Sequence, residues 1–321
     1  MNTRISYGPV MLIGAAACWG VGTVITKEAL GGFAALTLLV VQLVSSIAIL
    51  LVLARVLGIR PAYRPGIGRL TALGVLNPGL AYTLGLLGLT RTSASLSVLL
   101  WALEPAFIFV LAHLFLGDRT TRRSQLALAC ALSGVVLVVY QPGAGGDALG
   151  IALLAAGVTT CAAYTVISRH LLADSESVSV VVGQQLVALV FAAAVLVAVQ
   201  TLAGDALRAD GSTTAWAWAV ASGGLYYGIA FWLYLGGLRL TTASVAGSYL
   251  ALIPVFGLAA ASALGDRLTL GQWVGALLVV AGVAGVIRSD RRRTTGRCPS
   301  PTARERREAR TLAAWRDLME R

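Results

Sequence analysis

Of the 321 residues, 57% are hydrophobic and only 12% are charged, with a mean hydropathy of +0.81. Soluble domains carry about a quarter charged residues, so this composition excludes a water-soluble globule, a disordered chain and a disulfide scaffold. The net charge of +11 (25 Lys and Arg against 14 Asp and Glu) sits between apolar runs and in the tail, without aromatic interleaving. It therefore reads as a topology signal for a membrane chain, with no nucleic-acid partner.

Ten apolar runs follow in chain order, at about 8–27, 33–54, 70–89, 94–116, 124–141, 149–168, 178–203, 214–237, 243–264 and 271–287. Each is close to the roughly 20 residues that a helix needs to cross a bilayer. Lipid leaves no water for backbone groups, so runs this long are helices, and the apolar–polar alternation of a barrel is absent. The expected fold class is an all-α integral membrane protein with ten transmembrane helices. Arg4 and Ala15-Ala16-Ala17-Cys18 loosely resemble a cleavable signal, but cleavage would destroy a span that has a counterpart in the second half. Cys18, Cys130, Cys161 and Cys298 show no CxxC spacing, so neither a disulfide framework nor a metal site is indicated.

Lys and Arg counts orient the chain. With the N-terminus in the cytoplasm, the inside loops hold Arg4, Arg55, Arg60, Arg64, Arg69, Arg119, Arg122, Arg123, Arg169 and Arg239, and the tail from Arg288 adds eleven more. The outside holds only Lys27, Arg91, Arg208 and Arg267. The positive-inside rule thus predicts a multi-pass protein of the cell membrane with both termini cytoplasmic.

A duplication is the most informative feature. Gly79–Phe107 lies over Gly228–Phe256 at an offset of 149, with 13 of 29 positions identical, including Gly88/Gly237, Ala94/Ala243, Ser95/Ser244 and Pro105/Pro254. Leu116-Gly117-Asp118-Arg119 matches Leu264-Gly265-Asp266-Arg267, Gly134-Val135 matches Gly282-Val283, and Thr23–Lys27 matches Thr165–Arg169. Apolar sequences resemble one another by composition, but shared Pro, Gly and Gly-Asp-Arg at nearly constant offset do not arise that way. The division predicted is 1–141 and 147–288 for the two five-helix repeats and 289–321 for a basic cytoplasmic tail. Five is odd, so the second repeat must be inverted. An inverted repeat is a transporter architecture, with the substrate near the midplane.

At this point the chain resembles the drug/metabolite transporter superfamily, in its ten-helix EamA-type branch. The resemblance rests on Trp19-Gly20, Lys27, Thr92-Ser93-Ala94-Ser95, Glu104-Pro105, Leu116–Thr120 and Ser133-Gly134-Val135, and covers about 10–288. Gln42 stands where the family often has Arg, and Asp118 and Asp266 replace a more usual Glu. The resemblance implies export or exchange of small metabolites, amino acids or drugs, driven by gradients rather than by ATP.

Glu104 is the only ionisable acidic or basic side chain near the middle of a span, 13 residues from Arg91 and 14 from Asp118. A charge at that depth costs at least ~2.5 kcal/mol and is a functional-site hypothesis by default. Desolvation there disfavours the charged form, so Glu104 either exchanges protons or pairs with a substrate ammonium; a hydrogen-bonded structural role is the plainer alternative. Helical spacing puts Ser93, Ser97, Leu100, Trp101, Ile108 and Leu111 on its face. The expected substrate-binding set is Glu104, Trp101, Trp19, Ser97, Tyr82, Tyr227 and Tyr249, with Pro105, Pro254 and Pro78 as kink or gating positions. Of Tyr82, Tyr226, Tyr227, Trp232 and Tyr249, two or three are expected to face the cavity. Gln42, Gln184 and Gln185 are expected to join helices rather than to bind substrate, and His113 to pack or relay protons. In the tail, Leu312, Trp315, Leu318 and Met319 could share a helical face, lying on the inner leaflet or solvated.

No P-loop surrounds Lys27, the only lysine, and no HExxH or Ser–His–Asp set is present. The reading is therefore a carrier of small molecules in a lipid bilayer, with protons as a candidate coupling ion, no cofactor and no enzymatic activity. The alternative is a non-transporting scaffold or receptor on the same fold, which has no need of a buried acid beside a kink.

Overall fold

The computed structural model describes residues 7–56, 58, 67–89, 91–92, 96, 100–118, 121–139, 146–172, 177–203, 207–209, 212–263 and 269–296. These are almost wholly helical, with two isolated bridges, Phe33 to Ala209 and Thr92 to Gly146, and no extended strand among them. Eight helices are long and apolar enough to cross a membrane, and Glu104–Leu116 is a shorter apolar one that continues the fourth span past a break. The eighth span, helical from Thr213 to Arg239, is rich in Gly, Tyr, Trp and Ser, which lowers its hydropathy without ending the helix. With these two, the chain is a ten-helix membrane protein of two inverted five-helix repeats.

The remaining helices are Tyr7–Leu30, Ala35–Val56, Gly68–Leu89, Arg122–Val139, Ala148–Leu171, Ser177–Ala203, Ala243–Leu250 with Ile253–Ala263, and Leu270–Gly296. Their starts follow ordinary capping chemistry. Asp147 accepts from the Gly150 N–H at 2.6 Å, Ser212 from Ala215 at 3.3 Å and Thr242 from Val245 at 3.3 Å. The last helix runs to Gly296, past the boundary at 288 expected from sequence. Arginines are favourable near a helix C-terminus, so the helix outlasts its apolar run. The expected amphipathic face at Leu312–Met319 lies outside the described residues.

Packing is reciprocal between the repeats. The first span lies against the eighth and the second half of the ninth, and the sixth lies against the third and the second half of the fourth. The second, fourth and fifth spans meet their own counterparts, the seventh, ninth and tenth. Single contacts repeat as well. A Cβ on Gly223 would lie 2.6 Å from the Gln42 carbonyl oxygen, and one on its equivalent, Gly74, would collide with the carbonyl oxygen of Gln184, the residue equivalent to Gln42. Only glycine permits that approach.

The helices are interrupted at matched depths. The third span passes through a wide turn at Leu76–Leu80, where Asn77 leaves the helical region (φ −146°, ψ 121°) before a cis bond to Pro78. The eighth widens at Gly223–Ile229. The fourth and ninth break just before their prolines, at Ala102-Leu103 and Ala251-Leu252, and are bridged by short i to i+3 bonds. Proline has no N–H to continue the ladder and crowds the preceding turn.

Candidate functional site

Glu104 opens the second half of the fourth span, with Pro105 behind it in the first turn. The side chain is partly buried. Among the described residues it has no hydrogen-bond partner, and the one ion pair, Arg91 to Asp147 at 3.0 Å, lies elsewhere, outside the spans. Glu104 is close enough to Cys161, Tyr226 and Tyr234 for its charge to act on them.

An aromatic cluster stands beside it. Trp101 stacks on Tyr82 with centroids 5.6 Å apart and planes 24° from parallel. Its ring occupies the space where a Cβ on Gly85 would lie. The Tyr82 ring meets Tyr226 edge-on at 5.9 Å and Tyr227 at 5.3 Å, and its hydroxyl is 3.2 Å from that of Tyr226. Tyr227 is parallel to Phe231 at 6.3 Å, and Phe231 meets Trp19 edge-on at 5.4 Å. Tyr82, Trp101, Tyr226 and Glu104 all keep partial accessibility, whereas Tyr227 and Trp19 are 5% and 6% exposed. Ring faces carry negative quadrupole charge and attract cations. An acid near such a cluster, with no ion-pair partner among the described residues, is suited to a cationic group on an apolar body.

The sequence-derived set is thus partly gathered. Tyr82 meets Trp101 and Tyr227 in one aromatic cluster, and Tyr226 of that cluster is within electrostatic reach of Glu104. Trp19 packs edge-on to Phe231 and Tyr234, and its buried indole N–H finds no acceptor among the described residues. Tyr249 is buried in Ala243–Leu250 at 1% exposure. Ser97 lies outside the described residues, as does Ser93. The helical face drawn through Glu104 is interrupted by the break at Ala102-Leu103, and Ile108, a turn further on, is fully buried rather than open. Pro78 and Pro105 are buried beside their breaks and Pro254 partly so.

The glutamines join helices. The Gln42 amide donates to Ser222 at 2.8 Å and Thr26 at 3.1 Å, and the Gln184 amide donates to the Leu70 carbonyl at 2.8 Å while its oxygen accepts from Tyr164. Gln185 donates to the Tyr227 carbonyl at 2.8 Å. Sequence reasoning missed Tyr164, Phe231 and Tyr234. The duplication held the signal: at the repeat-equivalent positions of Tyr164 and Tyr234 the first half has Gly22 and Gly85, and opposite Phe231 it has Tyr82. Among the described residues no His, Cys, Asp and Glu gather into a group that could hold a metal.

Residues 6–140 and 148–288 each match the EamA-like transporter family. The chain is 25% identical over 221 residues to an uncharacterised transporter of Archaeoglobus fulgidus, covering 68% of this chain and 76% of the relative. It is 26% identical over 214 residues to the uncharacterised transporter YyaM of Bacillus subtilis, covering 63% and 68%. A solved crystal structure superposes with a TM-score of 0.72 at 20% identity, over 86% of this chain and 97% of that one, and so shares the fold. Two matched repeats and ten helices lead to one assignment: the chain is a multi-pass membrane transporter and belongs to the EamA-like transporter family.

Proposed function

We propose that this transporter is a secondary carrier of the cell membrane, with both termini cytoplasmic, which exports or exchanges small metabolites, amino acids or drugs by alternating access between its two repeats. Substrates with a cationic or zwitterionic nitrogen on an apolar, preferably aromatic, body suit the site best. The observation that carries this reading is Glu104: a partly buried acid with no hydrogen-bond partner among the described residues, at a helix break, within electrostatic reach of Tyr226 in the cluster that Tyr82 and Trp101 complete. Such a carboxylate is neutralised either by a proton or by the substrate ammonium. A scaffold gains nothing from carrying that desolvation cost.

The test is a toxicity-rescue and uptake screen of amino acids, nucleosides and cationic drugs, with wild type and Glu104→Gln compared. The near-isosteric amide keeps the fold and loses transport. Equal transport by both proteins, at every pH and for every substrate moved, would reduce Glu104 to a structural residue. Topology is tested separately with an impermeant thiol reagent: Gly296→Cys is labelled only after the membrane is opened.

A further inference from the structure

The fourth and ninth spans lie against each other on one side of their breaks. On the Asp118 side, Glu104–Leu116 lies against Ala243–Leu250, and Ala112, Ala243, Ala246 and Tyr249 are buried there. Ile108 fills the space that a side chain at Gly247 would take. On the other side of the breaks, no residue of Ile253–Ala263 is buried. From Glu104 toward Asp118 the two spans are thus interlocked by small and apolar residues.

At the Asp118 end a bond joins the two repeats. Gly117, in the left-handed region at φ 64°, ends the fourth span and donates its N–H to the Ala112 carbonyl. The reversal carries Asp118 over the start of the ninth span. There Asp118 Oδ2 accepts from the Ser244 hydroxyl at 3.1 Å and from the Ser244 N–H at 3.4 Å. Ser244 is only 5% exposed. His113 Nδ1 lies 3.1 Å from the Asp118 carbonyl oxygen, bracing the same turn, and Arg169 donates to the Thr241 carbonyl just ahead of the helix. The ninth span already has its own cap in Thr242, so Asp118 is additional. An anionic group is favourable at a helix N-terminus.

We infer that the Asp118–Ser244 contact is a latch of the transport cycle, which holds this end of the pathway shut and must break before it opens. Asp118 belongs to the first repeat and Ser244 to the second, so any separation of the fourth from the ninth span at this end pulls the pair apart. A contact within one repeat would survive the motion. Charge-assisted hydrogen bonds of this kind shift an equilibrium by about tenfold to a hundredfold. The repeat-equivalent residues, Ser95 and Asp266, lie outside the described residues.

The inference rests on the alternating-access reading, and the test separates the two. Spin labels at Leu114→Cys and Leu240→Cys, both exposed at the latched end, report their separation in a cysteine-free background in detergent, which needs neither substrate nor known orientation. Wild type shows a dominant short distance and a minor long one. Asp118→Asn and Ser244→Ala each raise the long-to-short ratio by about tenfold, the double variant goes no further, and Ser244→Thr, which keeps the hydroxyl, behaves as wild type. Should Asp118→Asn prove unstable, Ser244→Ala decides the matter alone. Two populations in wild type that neither single variant moves overturn the latch and leave alternating access standing. One short distance in every protein overturns both.

Discussion

The two repeats match in backbone and differ in the side chains at the site. The third and eighth spans widen at the same depth, and the fourth and ninth break two residues before equivalent prolines. At those same depths Tyr82 faces Phe231 as its counterpart, Trp101 has Leu250, Glu104 has Ile253, and Trp19 has Cys161. The polar and ionisable choices are unevenly shared, whereas the breaks are shared evenly. Backbone symmetry is what two states of similar energy need, since each half can then adopt the other's shape. Side-chain asymmetry is what one small, asymmetric substrate needs.

The sharpest way to break this comparison is to move the acid. Glu104→Gln lowers transport by about a hundredfold or more, in keeping with the loss of a charged group made for its ligand. Adding Ile253→Glu to that variant does not restore flux, because the positions equivalent to Trp101 and Tyr82 hold Leu250 and Phe231, which supply neither an indole nor a hydroxyl. A double variant that transports as well as wild type would mean that either half can carry the chemistry. In vesicles, a proton-exchanging Glu104 makes wild-type flux follow the pH gradient, and a substrate-pairing Glu104 makes the Gln variant lose cationic and zwitterionic substrates selectively.

The next test uses the symmetric part. Cysteines at the equivalent positions Trp101 and Leu250, joined by a cross-linker, should trap one state and stop whatever flux the uncross-linked double-cysteine protein retains, and reduction should return that same level. Full transport by the cross-linked protein would show that the breaks near Pro105 and Pro254 do not change their bend during the cycle.

Smaller effects come from the glycine contacts. Gly74→Ala and Gly223→Ala should each lower stability in detergent by ~1–3 kcal/mol, the usual cost of overpacking, read as a fall in melting temperature. Gly74→Ala should cost more, because its Cβ meets the Gln184 backbone more closely than that of Gly223 meets Gln42. Equal or no loss would show that the second and seventh spans can give way.

The smallest expected effect lies outside the membrane, at Asp147. The Gly150 N–H, and then the Arg91 guanidinium, hold its carboxyl below the usual carboxylate range. Its contribution is fully present above about pH 4, where an unfolded aspartate is ionised, and is lost as pH falls through the lowered native value. Asp147→Asn should therefore flatten the acid limb of the stability curve slightly and leave neutral pH almost unchanged. The position equivalent in the first repeat is Ile5, so the sixth span has an acidic cap that the first lacks.

The spans and the repeat were legible because each rests on a long run of residues and on Gly and Pro landmarks. The orientation of each helix about its axis was not. Tyr164 packs on Phe231, and Tyr234 comes within reach of Glu104, only because the sixth and eighth spans are turned so, and a helix that is apolar all round gives no stripe from which to read that turn. Trp19 shows the same limit: its depth was clear, and its edge-on packing against Phe231 and Tyr234 was not. The glutamines were legible in kind, as groups that tie helices together, but their partners, Ser222 and the Leu70 carbonyl, required the packing. The duplicated Gly-Asp-Arg marked Asp118 as part of the pattern without showing that its carboxylate reaches across to Ser244.

The fifth and tenth spans pack along each other more extensively than any other pair among the described residues, and their other substantial contacts there are only with the ninth. Gly134 lies against the Gly275 carbonyl and Gly282 against that of Ala127, so the seam is made of backbone meeting backbone. During synthesis the fifth span leaves the ribosome a whole repeat ahead of its partner. Its Gly134 face must rest against lipid, or against an insertion factor, until the last helix is made. Closure of this seam is therefore a late event in biogenesis, and a chain that stalls before the tenth span leaves the Gly134 face without the backbone it packs against.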